Sequence, residues 1–299
     1  MKQIKQNQIM KKFATTFLFF FLIGFTVLSS AQTVWKITRD DLNNPSYIVM
    51  TDPYVEASFI SEMKGLDEAT KNTQVVYCEL TPEDFKAGIP SLSNYIILPQ
   101  DNNLKGYLTD SSLNLIKQTI VQYGNDTLAS IFHVLHPDFI RLCLSSDTQT
   151  LNSKTNDINQ LIDFALIQKI ASDGRSVIGF ETFDDVMSFG FPADIIGNRV
   201  QSLVQFCRNI DNNRTLNKRI TKAYKQNDLL MLDQLINEKK ASGQIERFNL
   251  MNQKWTISMI NTIHEQPALF IINDSYLFGK SGIMELLRKK GYLVEAVDE

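Results

Sequence analysis

Near its C-terminal end the chain reads ALFIINDSYLFGKSGIMELLRKKGYLVEAV, in which an apolar run enters a polar loop holding Gly279, Lys280 and Ser281. A basic amphipathic helix follows. Strand, Gly-Lys-Ser and helix in that order are the parts of a phosphate-binding loop, whose glycines let successive N–H groups turn inward around a phosphate. The spacing excludes that chemistry. A glycine is required five residues before Gly279, and Asp274 stands there, a carboxylate that repels phosphate. Gly279 and Gly282 instead serve the turn from strand into helix.

Four carboxylates occupy more telling positions. Asp52 and Asp274 follow the apolar runs SYIVM and LFIIN, while Glu79 and Glu181 close QVVYCEL and RSVIGFET. A strand end is an unfavourable place for an unpaired charge, so each needs a partner. For Glu79 and Glu181 a structural salt bridge and a functional role stand level. Asp52, Asp274 and Glu79 together would make an all-oxygen site suited to magnesium, calcium or manganese. The competing reading makes both aspartates ordinary strand-end turn residues with Asx-type hydrogen bonds.

Histidine and cysteine offer less. His133 and His136 are three apart in FHVLHP, a spacing that can share a helix face, but zinc needs a further ligand. His264 closes a helix, where a cation suits the dipole. Cys78, Cys143 and Cys207 form no C-x-x-C pair and read as buried thiols, with one disulfide as the alternative. Trp255 and Tyr276 read as core or pocket-wall residues.

The elements that position these residues follow from periodicity. VWKITR and SYIVMT read as a hairpin, and VEASFISEMKGLDEATKN has helical spacing at Phe59, Ile60, Met63 and Leu66. QVVYCEL is a strand, TPEDF a helix start capped by Thr81, NYIILP a short strand, and RSVIGFET a buried strand. Helices dominate from Leu104 to Leu144 and from Asp185 to Ala241, and DINQLIDFALIQKIASDG and QKWTISMINTIHEQ are two more. The expected fold is α/β to α+β, a mixed central sheet with surrounding helices in two loosely repeated halves. The repeat is SYIVMTDPY with VVYCEL, echoed by LFIINDSYL with GYLVEAV. Such halves bring both loops to one sheet end, where ligand sites tend to lie, and there Asp52, Glu79, Asp274 and Glu181 become neighbours.

Residues 1–31 differ from the rest. Lys2, Lys5, Lys11 and Lys12 precede the apolar run FATTFLFFFLIGFTVL, and SSA offers a cut after Ala31. This is the pattern of an export signal, with a retained anchor over residues 13–28 as the alternative. A periplasmic or extracellular location follows. Removal takes the formal charge from −3 to about −7, since four lysines leave and no acid does. An acidic exported protein is a poor match for nucleic acid, whose phosphates require clustered Lys and Arg. Residues 32–299 then read as one domain, with membrane contact only through an uncleaved N-terminal segment.

Taken in order, these segments resemble the TraB/GumN family, which includes the TIKI metalloproteases. VWKI with SYIVMT resembles its first strand pair, VVYCEL its glutamate-ending strand, LPQDNNLKGYL and HPDFI its following segments, and VIGFET its later strand. ITKAYKQNDLLMLDQL, LMNQKW and the closing IINDSYLFGKSGIMELLRKKGYLVEAV are similar to its last motifs. The resemblance spans nearly all of residues 32–299.

It implies a divalent-metal hydrolase or peptidase (Mn, Zn or Mg) built on two Gly-x-x-His motifs, an early glutamate and an arginine. The motifs fall on Met50, Thr51, Asp52 and Pro53, and on Asn273, Asp274, Ser275 and Tyr276, and Met251 stands at the arginine position. Both glycines, both histidines and the arginine are absent, while Glu79, Glu181 and Asn252 remain. The resemblance therefore implies a catalytically degenerate member, with no cofactor, that binds a protein or peptide through the former cleft. Thr51, Asn252, Asn273 and Tyr276 are the expected binding positions, and Glu79 and Glu181 the retained catalytic candidates. The rival is a hydrolase with a rebuilt carboxylate site, its metal on Asp52 and Asp274.

Overall fold

The computed structural model describes residues 33–99, 102–124, 126–145, 161–193, 196–241 and 245–297. The export signal and anchor expected in residues 1–31 lie outside the described residues. Among the described residues no helix is long and apolar enough to cross a membrane.

Six strands form one mixed sheet: β1 (Val34–Thr38), β2 (Ser46–Thr51), β3 (Val75–Cys78), β4 (Ser176–Gly179), β5 (Ala268–Asn273) and β6 (Leu293–Ala296). Their spatial order is β4-β3-β5-β2-β1-β6. β1 is antiparallel to both β2 and β6, whereas β2, β5, β3 and β4 run parallel. The expected hairpin is present. β2 is buried at every position and β5 at all but its last, as continuous apolar runs require in strands covered on both faces.

Parallel pairing decides where the site lies. β2 and β5 pair with Thr51 opposite Asn273, and β3 and β4 pair with Cys78 opposite Gly179. The chain therefore leaves β2, β3, β4 and β5 at one edge of the sheet. The two echoed halves exist as strand, helix and strand, and their leading strands lie side by side. Their outgoing strands diverge, because β3 pairs with β5 while β6 pairs with β1.

Among the helices of the described residues are α1 (Leu66–Lys71), α2 (Pro82–Gly88), α3 (Asp110–Tyr123), α4 (Pro137–Ser145), α5 (Ile162–Ala171), α6 (Phe183–Gly190), α7 (Ile196–Arg208), α8 (Ile210–Lys225), α9 (Leu229–Ala241), α10 (Ile245–Glu265) and α11 (Ile283–Lys289). α10 buries Asn252, Trp255, Thr256, Met259 and Ile263, one stripe of a 3.6-residue period. α5 buries Ile162, Leu166 and Ile170. One apolar cluster surrounds the sheet, and a second joins α3, α4 and α7 through Ile116, Ile120, Ile140, Leu144, Val200 and Leu203.

Three elements differ from expectation. The segment from Ala57 is a 3₁₀ turn to Glu62 and then α1, because Gly65 adopts φ +74° with a Cβ position only 2.6 Å from Val297. NYIILP contributes a helical turn, Ser93–Ile96, and one bridge between Ile97 and Leu135. β4 is an edge strand rather than a buried one, so Ile178 is 38% exposed.

Candidate functional site

The sheet edge gathers the strand-end carboxylates as the repeat implies, but gives each a different environment. Glu181 is buried, with Oε1 accepting from Trp255 Nε1 at 2.6 Å and Oε2 facing Lys254 Nζ at 2.7 Å. Both oxygens are therefore engaged, and Glu181 is a fully paired carboxylate. Its backbone N–H donates to the Glu79 carbonyl at 3.0 Å, which holds the two chain turns together.

Among the described residues no cation acts on Glu79. Its Oε1 accepts from the Tyr276 hydroxyl at 2.8 Å. Burial pushes its carboxyl up to about 7, the Tyr276 hydrogen bond opposes that rise, and Asp163 and Glu181 add to it. The Tyr276 ring is itself fixed. It packs 4.4 Å from Trp255 and 5.3 Å from Phe248, and Trp255 stacks on Phe180 at 5.2 Å. Trp255 and Tyr276 are thus core residues, with Tyr276 presenting only its hydroxyl to the site.

Asp52 and Asp274 leave adjacent, in-register strands. Asp52 is fully buried, with Oδ1 accepting from Tyr54 N at 2.8 Å and Oδ2 from Thr221 Oγ1 at 2.8 Å. The first of these is the Asx-type bond expected of a strand-end aspartate. Burial raises the Asp52 carboxyl despite both bonds and the fields of Lys239 and Lys225. Asp274 is raised well above the usual range by burial and then by Asp52, and its Oδ2 is buried without a hydrogen-bond partner.

Asp163 on α5 completes the group, and the sequence reading missed it. Burial lifts it to about 6, against the Thr51 hydroxyl and with help from Asp52. The signal was present: LIDFALI carries one charge within an apolar helix start. Nothing local said that this charge would meet a strand end over a hundred residues away in sequence.

A cavity of about 250 Å³ opens between these elements. Pro53, Glu79, Asp163 and Asn273 give it its character, and Phe85, Phe164, Ile167, Val186, Met187 and Ile271 its apolar wall. Of the expected binding positions, Asn273 lines it. Asn273 also caps the following turn, with Oδ1 accepting from Ser275 N at 3.0 Å. Thr51 is fully buried. Asn252 points elsewhere, donating to the Ser281 carbonyl at 2.8 Å. Met251 packs partly buried against the sheet core.

The Gly-Lys-Ser loop borders a separate cavity of about 800 Å³ with Trp35, Asp233 and Arg288. Gly279 N donates to Asp233 Oδ1 at 2.9 Å, so a carboxylate already holds the amide that a phosphate would need. Gly279 has φ +88°, and a Cβ on Gly282 would fall 2.3 Å from the Leu277 carbonyl. Both glycines serve the strand-to-helix turn.

The histidines are placed by hydrogen bonds. His136 is buried, with Nδ1 accepting from Asp138 N and Nε2 3.0 Å from the Pro192 carbonyl. Both nitrogens are used, and His133 lies in a separate 3₁₀ turn. His264 Nε2 lies 2.7 Å from Arg39 and 2.9 Å from Tyr292 Oη. Arg39 therefore adds its guanidinium at that helix end. The three cysteines are free. Among the described residues no group of three or more His, Cys, Asp or Glu is close enough to hold a metal ion.

The family model described as TraB/PrgY/gumN matches residues 33–296, from the start of the sheet to the end of β6. No curated protein and no solved structure matches the chain.

Proposed function

The chain belongs to the TraB/PrgY/gumN family, and from that premise we propose that it is an exported, catalytically degenerate member that binds a ligand or protein partner in its sheet-edge cleft. The observation that carries the proposal is the Tyr276–Glu79 hydrogen bond. At the position where the resemblance places a metal-binding histidine, Tyr276 directs a hydroxyl at the retained glutamate.

The residues present do not fit the divalent metal that the resemblance implies. Pro53 has no side-chain donor atom, the Tyr276 phenol is raised well above its usual value by burial and by Glu79, and both Glu181 oxygens are engaged by Lys254 and Trp255. A phenol that resists ionisation is a poor metal ligand at neutral pH. The cleft nevertheless keeps a volume, an apolar wall and two carboxylates, which are features of a binding site. Export rests on the basic and apolar pattern of residues 1–31.

Metal analysis of the purified protein at neutral pH, with peptide hydrolysis measured in added Mn²⁺, Zn²⁺ or Mg²⁺, tests this reading. Substoichiometric metal and no turnover are expected. Stoichiometric metal lost in Asp52→Ala or Asp274→Ala, together with turnover, would establish the rival hydrolase. N-terminal sequencing of the exported protein should begin at Gln32.

A further inference from the structure

The cleft has a charge pattern that selects among ligands. Glu79 and Asp163 both line it, and among the described residues no lysine or arginine does. The cations at this sheet edge are committed to other acids. Lys254 lies on Glu181, and the fields of Lys239 and Lys225 fall on Asp52. The groups acting on Glu79 are Tyr276, Asp163 and Glu181, and those acting on Asp163 are Thr51 and Asp52. None of these is cationic. Deeper in the same edge, the buried Asp274 Oδ2 has no hydrogen-bond partner. Two carboxylates thus face a shared space with no counter-charge among the described residues, a costly arrangement without a partner.

The rest of the wall is hydrocarbon. Phe85, Phe164, Ile167 and Met187 surround a volume of about 250 Å³, enough for one small side chain and its head group. Asn273 also lines it, its side-chain carbonyl oxygen engaged by Ser275 N. An anion would meet two like charges, and a neutral apolar molecule would leave both carboxylates unanswered.

We propose that the cleft binds a primary alkylammonium group, its charged head between Glu79 and Asp163 and a short hydrocarbon arm against Phe85, Phe164 and Ile167. This rests on the binding-cleft reading and names its ligand chemistry. An ammonium supplies three N–H donors to acceptor-only carboxylates. The same chemistry is offered by the N-terminal residue of a peptide and by a free aliphatic amine.

Titration calorimetry on the purified protein with four probes tests the assignment: leucinamide, N-acetyl-leucinamide, isopentylamine and isopentanol. At pH 8 isopentylamine, and leucinamide with its affinity referred to the protonated fraction, should each bind at least ~10-fold tighter than the uncharged counterpart if it is the ligand class, the difference made by one charge-assisted contact. Tighter leucinamide identifies a peptide N-terminus, and tighter isopentylamine a free amine. Binding should weaken by ~10-fold or more at pH 5, where both carboxylates are protonated. Glu79→Gln with Asp163→Asn should abolish the preference for the charged probe while the protein stays folded by circular dichroism.

Equal binding of charged and uncharged probes would overturn the ammonium assignment and leave the binding cleft standing. Ammonia release from leucinamide in the same samples would instead overturn the degenerate-member reading and leave the ammonium site intact. Absence of heat with every probe at millimolar concentration would overturn the assignment.

Discussion

The hydroxyl of Tyr276 donates to Glu79 Oε1 at 2.8 Å, joining the turn after β5 to the turn after β3. Tyr276 is held by Trp255 and Phe248, and Trp255 in turn satisfies Glu181. One aromatic group therefore positions two carboxylates, and it leaves one in balance and the other without a cation.

Tyr276→Phe should keep the ring packing and remove the donor. The lost hydrogen bond costs about 1–2 kcal/mol. Since that bond opposes the upward shift of Glu79, its removal should raise the Glu79 titration further above about 7. Carboxyl-carbon NMR of the variant checks both the sign and the residue; an unchanged or lowered midpoint would contradict the geometry.

Glu79 and Asp163 titrate at about 7 and about 6 in the fold, against about 4 in an unfolded chain. The stability linked to a raised carboxyl is fully present below the unfolded value and is lost as pH rises through the folded one. The protein should therefore gain stability from these groups on acidification from pH 8 to pH 5, on the order of 1–3 kcal/mol each. Glu79→Gln and Asp163→Asn should each raise the melting temperature by roughly 2–6 °C at pH 8 and change it little at pH 5. Thermal melts at the two pH values decide the matter.

Lys254 is exposed over 58% of its side chain, yet its Glu181 partner is only 1% exposed. Lys254→Met leaves a buried carboxylate supported by Trp255 alone, and should cost about 2–3 kcal/mol in urea denaturation. Glu181→Gln keeps an acceptor for Trp255 and should cost less. The reverse ranking would mean that the pair acts as an ordinary surface salt bridge.

Gly282→Ala places a methyl 2.3 Å from a backbone carbonyl, whereas Gly106 has nothing within 4 Å of its Cβ position. The first substitution should destabilise by about 3 kcal/mol or more, and Gly106→Ala should be close to neutral. Gly279→Ala should fall between them, since φ +88° is strained for alanine but the nearest atom belongs to the Asn237 side chain. Soluble yield and denaturation midpoints give the ranking.

Periodicity and local chemistry in the sequence determined the strand runs SYIVMT, QVVYCEL and ALFIIN, the Thr81 cap, the amphipathic α10, and the carboxylate or amide at each strand end. Their order carried the family, because the motifs are local and keep their spacing along the chain. Only the tertiary structure decided what each carboxylate meets. Glu79 and Glu181 look alike in sequence, both closing apolar strands, but β4 turns Glu181 toward Lys254 and Trp255 while β3 turns Glu79 toward Tyr276 and the cavity. Asp163 stayed hidden for the same reason, being one polar residue in a helix until α5 packs against the edge beside Thr51. A charge's partners are set by contacts between distant segments, and periodicity, which reads neighbours along one element, carries no record of them.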